Sequence, residues 1–267
     1  MADRRTSPRV ISVASIKGGV GKSTTCLILA KLLSQEHKVL LIDMDPQSSI
    51  TSYYGNLLDE QGACISEFNI HQVLKGERFI GHAVINVERN LDIIAGYYTL
   101  KRFLYDVMER YRCDLFIKIS DTNFYLKDAI RHLSKKYDYI LIDTTPATGP
   151  ILSNALVVSN YVITPVVCQV WTYESIELIY EEVRNELKLD IPMYTLATMY
   201  RNRSTHFNIN RKLQERDDFL GTVKERESLN KKFHLGDAID MKSDYVDEYR
   251  KILNNFMLKS GEQALKV

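Results

Sequence analysis

The chain has few of the features that would place it outside ordinary globular proteins. It has only 12 glycines and 6 prolines in 267 residues, too few for a collagenous or low-complexity chain. Its four cysteines, Cys26, Cys64, Cys113 and Cys168, form no CxxC pair and no metal-ligand spacing. They are expected to be buried, reduced thiols in a cytosolic protein. No run approaches the ~20 apolar residues of a membrane span, and the first residues lack the apolar core of a secretion signal. Charge of one sign is also lacking: 35 Lys and Arg face 34 Asp and Glu, a formal charge of +1. That argues against a protein coated in basic residues but leaves room for a local basic face. With 45% apolar residues, a chain of this length buries a continuous core in one domain, 1–267. Residues 1–9 are expected to be a flexible start and 260–267 a polar tail.

Short β-branched runs alternate with longer amphipathic stretches. Runs at 10–16, 38–42, 91–95, 139–142, 161–164 and 193–198 read as strands. Several are apolar on both faces, as parallel strands covered on both sides must be. Stretches 24–34, 100–112, 124–136, 173–187, 207–216 and about 243–258 carry helical spacing. The alternation predicts an α/β fold with a doubly wound, mostly parallel sheet and helices on both faces. Pro46, Pro146 and Pro165 are each expected just past the C-terminal end of a strand, the sheet edge where ligands bind in such folds.

Lys17-Gly18-Gly19-Val20-Gly21-Lys22-Ser23-Thr24 lies between a predicted strand and a predicted helix. Glycines let consecutive N–H groups turn onto phosphate oxygens, and the helix start adds partial positive charge. Lys22 would neutralise the β and γ phosphates, and Ser23 would offer a hydroxyl to Mg²⁺. Two further strand ends are acidic. Asp43 and Asp45, two apart, point the same way, although either could instead cap a helix. Asp143, lifted to the edge by an apolar run, has the form of a Walker B carboxylate.

The common phosphate loop has glycine where this chain has Ile16, and it lacks Lys17. The octet resembles the deviant Walker A loop, KGGxGK[ST], of the ParA/MinD group of P-loop ATPases, and the segment Asp43-Met44-Asp45-Pro46-Gln47 resembles that group's DxDPQ. The resemblance implies ATP and Mg²⁺ as cofactors and a slow intrinsic ATPase. It implies that Lys17 reaches the partner's nucleotide in an ATP-dependent homodimer, that Asp43 holds a Mg²⁺-bound water, and that Asp45 orients the attacking water. The group has two prolines after the Walker B strand; here the first is Thr145, leaving the geometry of the 144–149 switch segment open. Ile16, Thr51-Ser52-Tyr53-Tyr54 and the stretch 218–232 look most like the plasmid-partition ParA branch of spirochaetes. That likeness implies non-specific binding of double-stranded DNA, association with the nucleoid when ATP-bound, and a ParB-like centromere-binding partner. No DNA-reading helix-turn-helix is expected before the ATPase.

Nine basic residues gather between positions 201 and 232: Arg201, Arg203, Arg211, Lys212, Arg216, Lys224, Arg226, Lys231 and Lys232. Five acidic ones share the stretch. The excess could track DNA phosphates or be a solvated face. A MinD-like alternative, a nucleotide-gated positioning switch for a protein or membrane cargo, would need a basic amphipathic C-terminal helix. Here Tyr245, Tyr249, Ile252, Leu253 and Phe256 instead read as a docked core stripe. The scattered cysteines disfavour iron–sulfur relatives, and the spread tyrosines disfavour tyrosine kinases of this fold.

Overall fold

The computed structural model describes residues 7–113, 119–134 and 136–262. Along the chain come β1 (Arg9–Val13), α1 (Lys22–Leu33), β2 (Val39–Met44), α2 (Ser49–Tyr53), α3 (Gly55–Glu60), α4 (Ile70–Leu74), β3 (Val84–Glu88) and β4 (Leu91–Ile94). Then follow α5 (Phe103–Cys113), α6 (Tyr125–Arg131), β5 (Tyr139–Thr144), α7 (Pro150–Val158), β6 (Tyr161–Val167) and α8 (Thr172–Glu181), the last running into a π turn, Glu182–Glu186. The chain closes with β7 (Met193–Tyr200), α9 (Ser204–Gln214), β8 (Phe219–Lys224), α10 (Glu227–Leu235) and α11 (Asp244–Ser260).

Among the described residues the strands form one eight-stranded sheet, ordered β3-β4-β2-β5-β1-β6-β7-β8, parallel except for β3. Alternate residues of each central strand feed opposite faces. Val39 and Leu41 pack with α1 and α11, whereas Leu40, Ile42 and Met44 pack with α4, α5 and α6. This is why the strands read as unbroken apolar runs. The α11 stripe of Tyr245, Tyr249, Ile252, Leu253 and Phe256 is buried as expected.

All six predicted strands form, with shifted ends. The first stops at Val13, releasing residues 14–16 into the phosphate loop. The sixth-placed strand in sequence order, β6, runs through Pro165, which corrects the expectation that this proline lies past the strand. Ile163 accepts from Ala14 N–H on the β1 side, so Pro165, two residues on, faces the same side beyond the end of β1. Its missing donor therefore costs no ladder bond. Two edge strands, β3 and β8, were not predicted. Arg9 begins β1 instead of lying in a loose start, and Glu262 is buried beside Arg9, 2.8 Å away. Residues 1–6 and 263–267 lie outside the described residues. Cys26 and Cys168 are buried, but Cys64 is exposed, in a turn after α3, against the expectation of burial. The side chain of Cys113 lies outside the described set.

Candidate nucleotide site

The loop from 14 to 21 crosses the C-terminal edge of the sheet. Gly19 (φ 70°) and Gly21 (φ 80°) hold left-handed conformations that a side chain would strain. Nothing lies within 4 Å of where a Cβ would stand at Gly18 or Gly19, so the backbone faces an open cradle. Beneath it, Val20 is buried, and its carbonyl accepts from Thr198 Oγ1 at 2.8 Å. Helix α1 begins at Lys22, and Thr25 Oγ1 meets the Tyr249 hydroxyl at 3.1 Å, tying the loop's helix to α11.

Lys22 is 5% exposed and donates from Nζ to the Lys17 carbonyl at 3.0 Å. Burial pushes its ammonium below the ordinary range, while the charges of Asp143 and Asp45 pull it back up. Lys17 is placed differently. It stands half-buried at the rim, its Nζ 3.3 Å from the Trp171 carbonyl.

The three carboxylates converge on this loop but are held in unlike ways. Asp43 and Asp143 are register partners on β2 and β5, and both are fully buried. Asp43 accepts from Thr51 N–H (2.9 Å) and Thr51 Oγ1 (2.7 Å) on one oxygen and from Asp45 N–H (3.3 Å) on the other. Burial nevertheless pushes it up to about 6. Asp143 is also raised well above the carboxylate range, by burial first and then by Asp43; the Ser23 hydroxyl and Lys22 oppose this. Ser23 stands near enough to favour the carboxylate, but neither oxygen is in a well-formed hydrogen bond with a protein donor among the described residues. Asp45 accepts from Gln47 N–H at 2.9 Å, which closes a tight turn, and burial raises it.

An orphaned buried carboxylate beside a serine hydroxyl, under an open glycine cradle, fits a divalent cation bound with phosphate. Among the described residues no three His, Cys, Asp or Glu side chains form a closed metal cage. The cation would therefore take hydroxyl, water and phosphate oxygens, as Mg²⁺ does at such sites. The cradle opens on a cleft of about 370 Å³ bounded by Gly18, Lys22, Asp45, Gln47, Met199 and Phe233.

Sequence reasoning missed Thr51 and Gly96 as supports. Gly96 N–H donates to Thr51 Oγ1 at 2.8 Å, and a Cβ there would stand 2.9 Å from Asp43 Cγ. A glycine just past a strand end was the available signal. Met199 and Phe233 were also missed, because only the fold brings their segments to the loop.

The basic stretch is divided. Arg201 pairs with Glu225, Arg216 with Asp218 (2.8 Å), and Arg226 with Asp244 (2.6 Å) and Glu248 (3.1 Å). Two of those acids lie outside the 201–232 window, so counting within it overstated the free positive charge. Arg203, Arg211, Lys212, Lys224 and Lys231 are exposed and Lys232 half-buried, and the salt bridges found among the described residues include none of the six. Arg216 precedes β8 and Lys224 ends it. They sit at opposite sheet edges, roughly 20 Å apart at the rise of a strand.

No helix among the described residues is long and apolar enough to cross a membrane. A family model described as an AAA domain matches residues 8–191. The chromosome partitioning protein ParA of Myxococcus xanthus is 30% identical over 208 residues, 74% of this chain and 68% of that one. A plasmid partition protein of Borrelia burgdorferi B31, solved bound to AMPPNP, is 42% identical with a TM-score of 0.87, covering 95% of this chain and 100% of the other. Cobyrinic acid a,c-diamide synthase of Mycobacterium smegmatis, at 23% identity and a TM-score of 0.72 over 96% and 98% of the two chains, shares the fold. With the deviant loop, its two lysines and the strand-end carboxylates in place, these likenesses establish that the chain belongs to the ParA-type family of P-loop ATPases and is an ATP hydrolase of that kind.

Proposed function

We propose that the chain is a Mg²⁺-dependent partition ATPase: ATP joins two copies, the dimer holds double-stranded DNA without sequence preference, and a ParB-like centromere-binding partner stimulates hydrolysis. The observation that carries this reading is Asp143, fully buried, with neither oxygen in a well-formed hydrogen bond among the described residues, beside Lys22 and the open glycine cradle. The magnesium ion, when bound, would supply charge neutralisation across the β and γ phosphates. Ser23 and Asp143 are the groups that would face it. Asp43, gripped by Thr51 and by Asp45 N–H, fixes the Asp45 turn and would hold a Mg²⁺-bound water with the acceptor capacity left on Oδ1. Lys22 exchanges the Lys17 carbonyl for phosphate oxygens, and the backbone N–H groups of residues 18–24 cradle them. Asp45 orients a water for in-line attack, and catalysis rests on positioning and charge.

Lys17, half-buried at the rim with its Nζ on the Trp171 carbonyl, exchanges that contact for a second copy's nucleotide. The AMPPNP-bound Borrelia relative is a plasmid partition protein, which supports the nucleotide and the role together. The dimer would bind the nucleoid when ATP-bound, through the exposed Arg203, Lys224 and Lys231 and the half-buried Lys232, on or near the nucleotide edge.

Asp45→Ala, which retains the cradle and Lys22, is expected to bind ATP, to dimerise and to turn over at least tenfold more slowly, an order-of-magnitude figure for losing a water-orienting group. Filter binding of the trapped dimer to arbitrary duplex DNA, over a salt series with ATP and with ADP, tests the rest. Salt-sensitive binding with ATP alone supports partition. A trapped dimer with no DNA affinity would favour the positioning-switch alternative, and unchanged turnover would remove Asp45 from its role.

A further inference from the structure

Helix α10 meets the catalytic edge through one aromatic side chain. Phe233 is 6% exposed, lines the nucleotide cleft with Asp45, Gln47 and Ser49, and stacks on Tyr53 of α2 with ring centroids 5.7 Å apart and planes inclined by 26°. The contact is closed on its far side. Asp237 N–H donates to the Lys232 carbonyl at 2.9 Å and Gly236 adopts φ 69°, a left-handed helix end. A Cβ on Gly236 would stand 2.9 Å from the Tyr53 carbonyl oxygen. The end of α10 is thus pressed against the backbone of α2.

Helix α2 is in turn bolted to the catalytic carboxylates. It follows directly from the Asp45 turn, in which Ser48 N–H donates to the Asp45 carbonyl (2.8 Å) and Ser48 holds φ 51°. Its Thr51 supplies both bonds to Asp43 Oδ2. At its other end Tyr54 donates to Glu88, and Lys31 lies over the Tyr53 and Tyr54 rings. This helix of five residues is thus held at both ends and at Thr51 between them. Meanwhile Lys231 lies two residues before Phe233, about 200° around the helix at 3.6 residues per turn, and is exposed. Lys232 lies between them. Helix α10 therefore presents cations to solvent and an aromatic ring to the nucleotide cleft.

We propose that Phe233 is a positioning residue that carries the state of α10, including a polyanion held by Lys231 and Lys232, through Tyr53 and α2 to the Asp45 turn. The polyanion arm rests on the proposed DNA binding; the positioning arm rests only on ATP hydrolysis. A bound duplex fixes the helix, the stack fixes α2, and Asp45 and Gln47 are held where water is oriented. Without the ring, α10 loses its side-chain link to the turn and keeps the backbone approach of Gly236 to Tyr53.

The experiment measures kcat and KM for Mg²⁺-ATP in the full chain, with and without a short duplex of arbitrary sequence, for the parent, Phe233→Ala, Phe233→Leu, Phe233→Tyr and Leu235→Ala. Phe233→Ala is expected to lower kcat about tenfold with KM within about twofold, the signature of lost orientation with binding retained. Phe233→Tyr keeps the stack and restores kcat. Leu235→Ala, at an exposed position of the same helix, keeps it too. If the alanine variant melts early, Phe233→Leu is read in its place, since it keeps apolar volume and loses the stack. Duplex DNA is expected to change the parent's kcat, and to bind Phe233→Ala without changing its kcat. Parent-like kcat in Phe233→Ala and Phe233→Leu, or a duplex response of the parent's size, overturns the inference. A parent that hydrolyses ATP yet neither binds nor answers the duplex overturns the DNA-binding reading and the polyanion arm with it. The kcat comparison then decides the positioning arm alone.

Discussion

The glycines of the phosphate loop act through their own backbone, and that is why they are visible in the sequence: Gly19 and Gly21 need positive φ whatever surrounds them. Gly96 works through a neighbour 53 positions away. Its missing Cβ makes room for Asp43, whose Cγ and backbone oxygen would lie 2.9 and 3.0 Å from an added carbon. Backbone cannot retreat as a flexible side chain can. Gly96→Ala is therefore expected to destabilise the protein by about 1–3 kcal/mol, as overpacking does in well-filled cores. Urea unfolding checks it, as a fall in midpoint at unchanged slope; a shift under about 0.5 kcal/mol would mean the Asp43 loop yields freely. The same residues explain what the motif could not reveal. The pattern of Asp43 and Asp45 placed both at the phosphate edge, but only the fold shows Asp43 gripped by Thr51 and Asp143 without a well-formed hydrogen bond among the described residues.

Among the elements, the central strands were legible because burial on both faces leaves an apolar run that no helix period interrupts. The two edge strands were not. In β8, Gly221 sits at φ 147° with a register shift beside it, and in β3 the register slips between Asn86 and Glu88. Bulges and exposed polar positions break the period-2 signal at sheet edges. A further contact invisible to periodicity joins α4 to α5. His71 Nε2 lies 2.7 Å from Asp106 Oδ2 and its Nδ1 lies 2.9 Å from Thr99 Oγ1. Burial lowers the His71 pKa, Lys75 lowers it further, and Asp106 and Glu77 oppose them. A histidine whose folded pKa lies below its unfolded value of about 6.5 binds fewer protons when folded. Its contribution to stability is whole above that value and is lost as pH falls below it. Replacing it with His71→Gln is expected to flatten the loss of stability between pH 7 and pH 5, measured as unfolding free energy at each pH. A slope equal to the parent's would assign that acid sensitivity to other groups.

For the whole molecule, a net charge near zero conceals a separation. Acidic groups cluster inside the nucleotide edge, where Lys22 answers them, and the basic residues are split between the two edges of the sheet. Arg216 belongs to the far edge. Its guanidinium pairs with Asp218 through two 2.8 Å bonds, and Tyr180 completes the cluster. Lys231 and Lys232 belong to the near edge and have no such partner among the salt bridges found in the described residues. A shared contact with DNA phosphates needs charges on one side of the molecule, and counterion release counts only those that reach phosphate, with a slope of about 0.9 in log affinity against log salt per contact. Lys231→Gln with Lys232→Gln is therefore expected to flatten that slope by about 2, while leaving the melting temperature near the parent's, since surface charges contribute little to stability. Arg216→Gln is expected to do the reverse: the salt slope stays as in the parent, and the melting temperature falls because Asp218 and Tyr180 lose their shared partner. Filter binding across a salt series and thermal unfolding of the same samples distinguish the two edges. A slope that flattens in Arg216→Gln but not in the double variant would put the DNA on the opposite side of the sheet from the nucleotide.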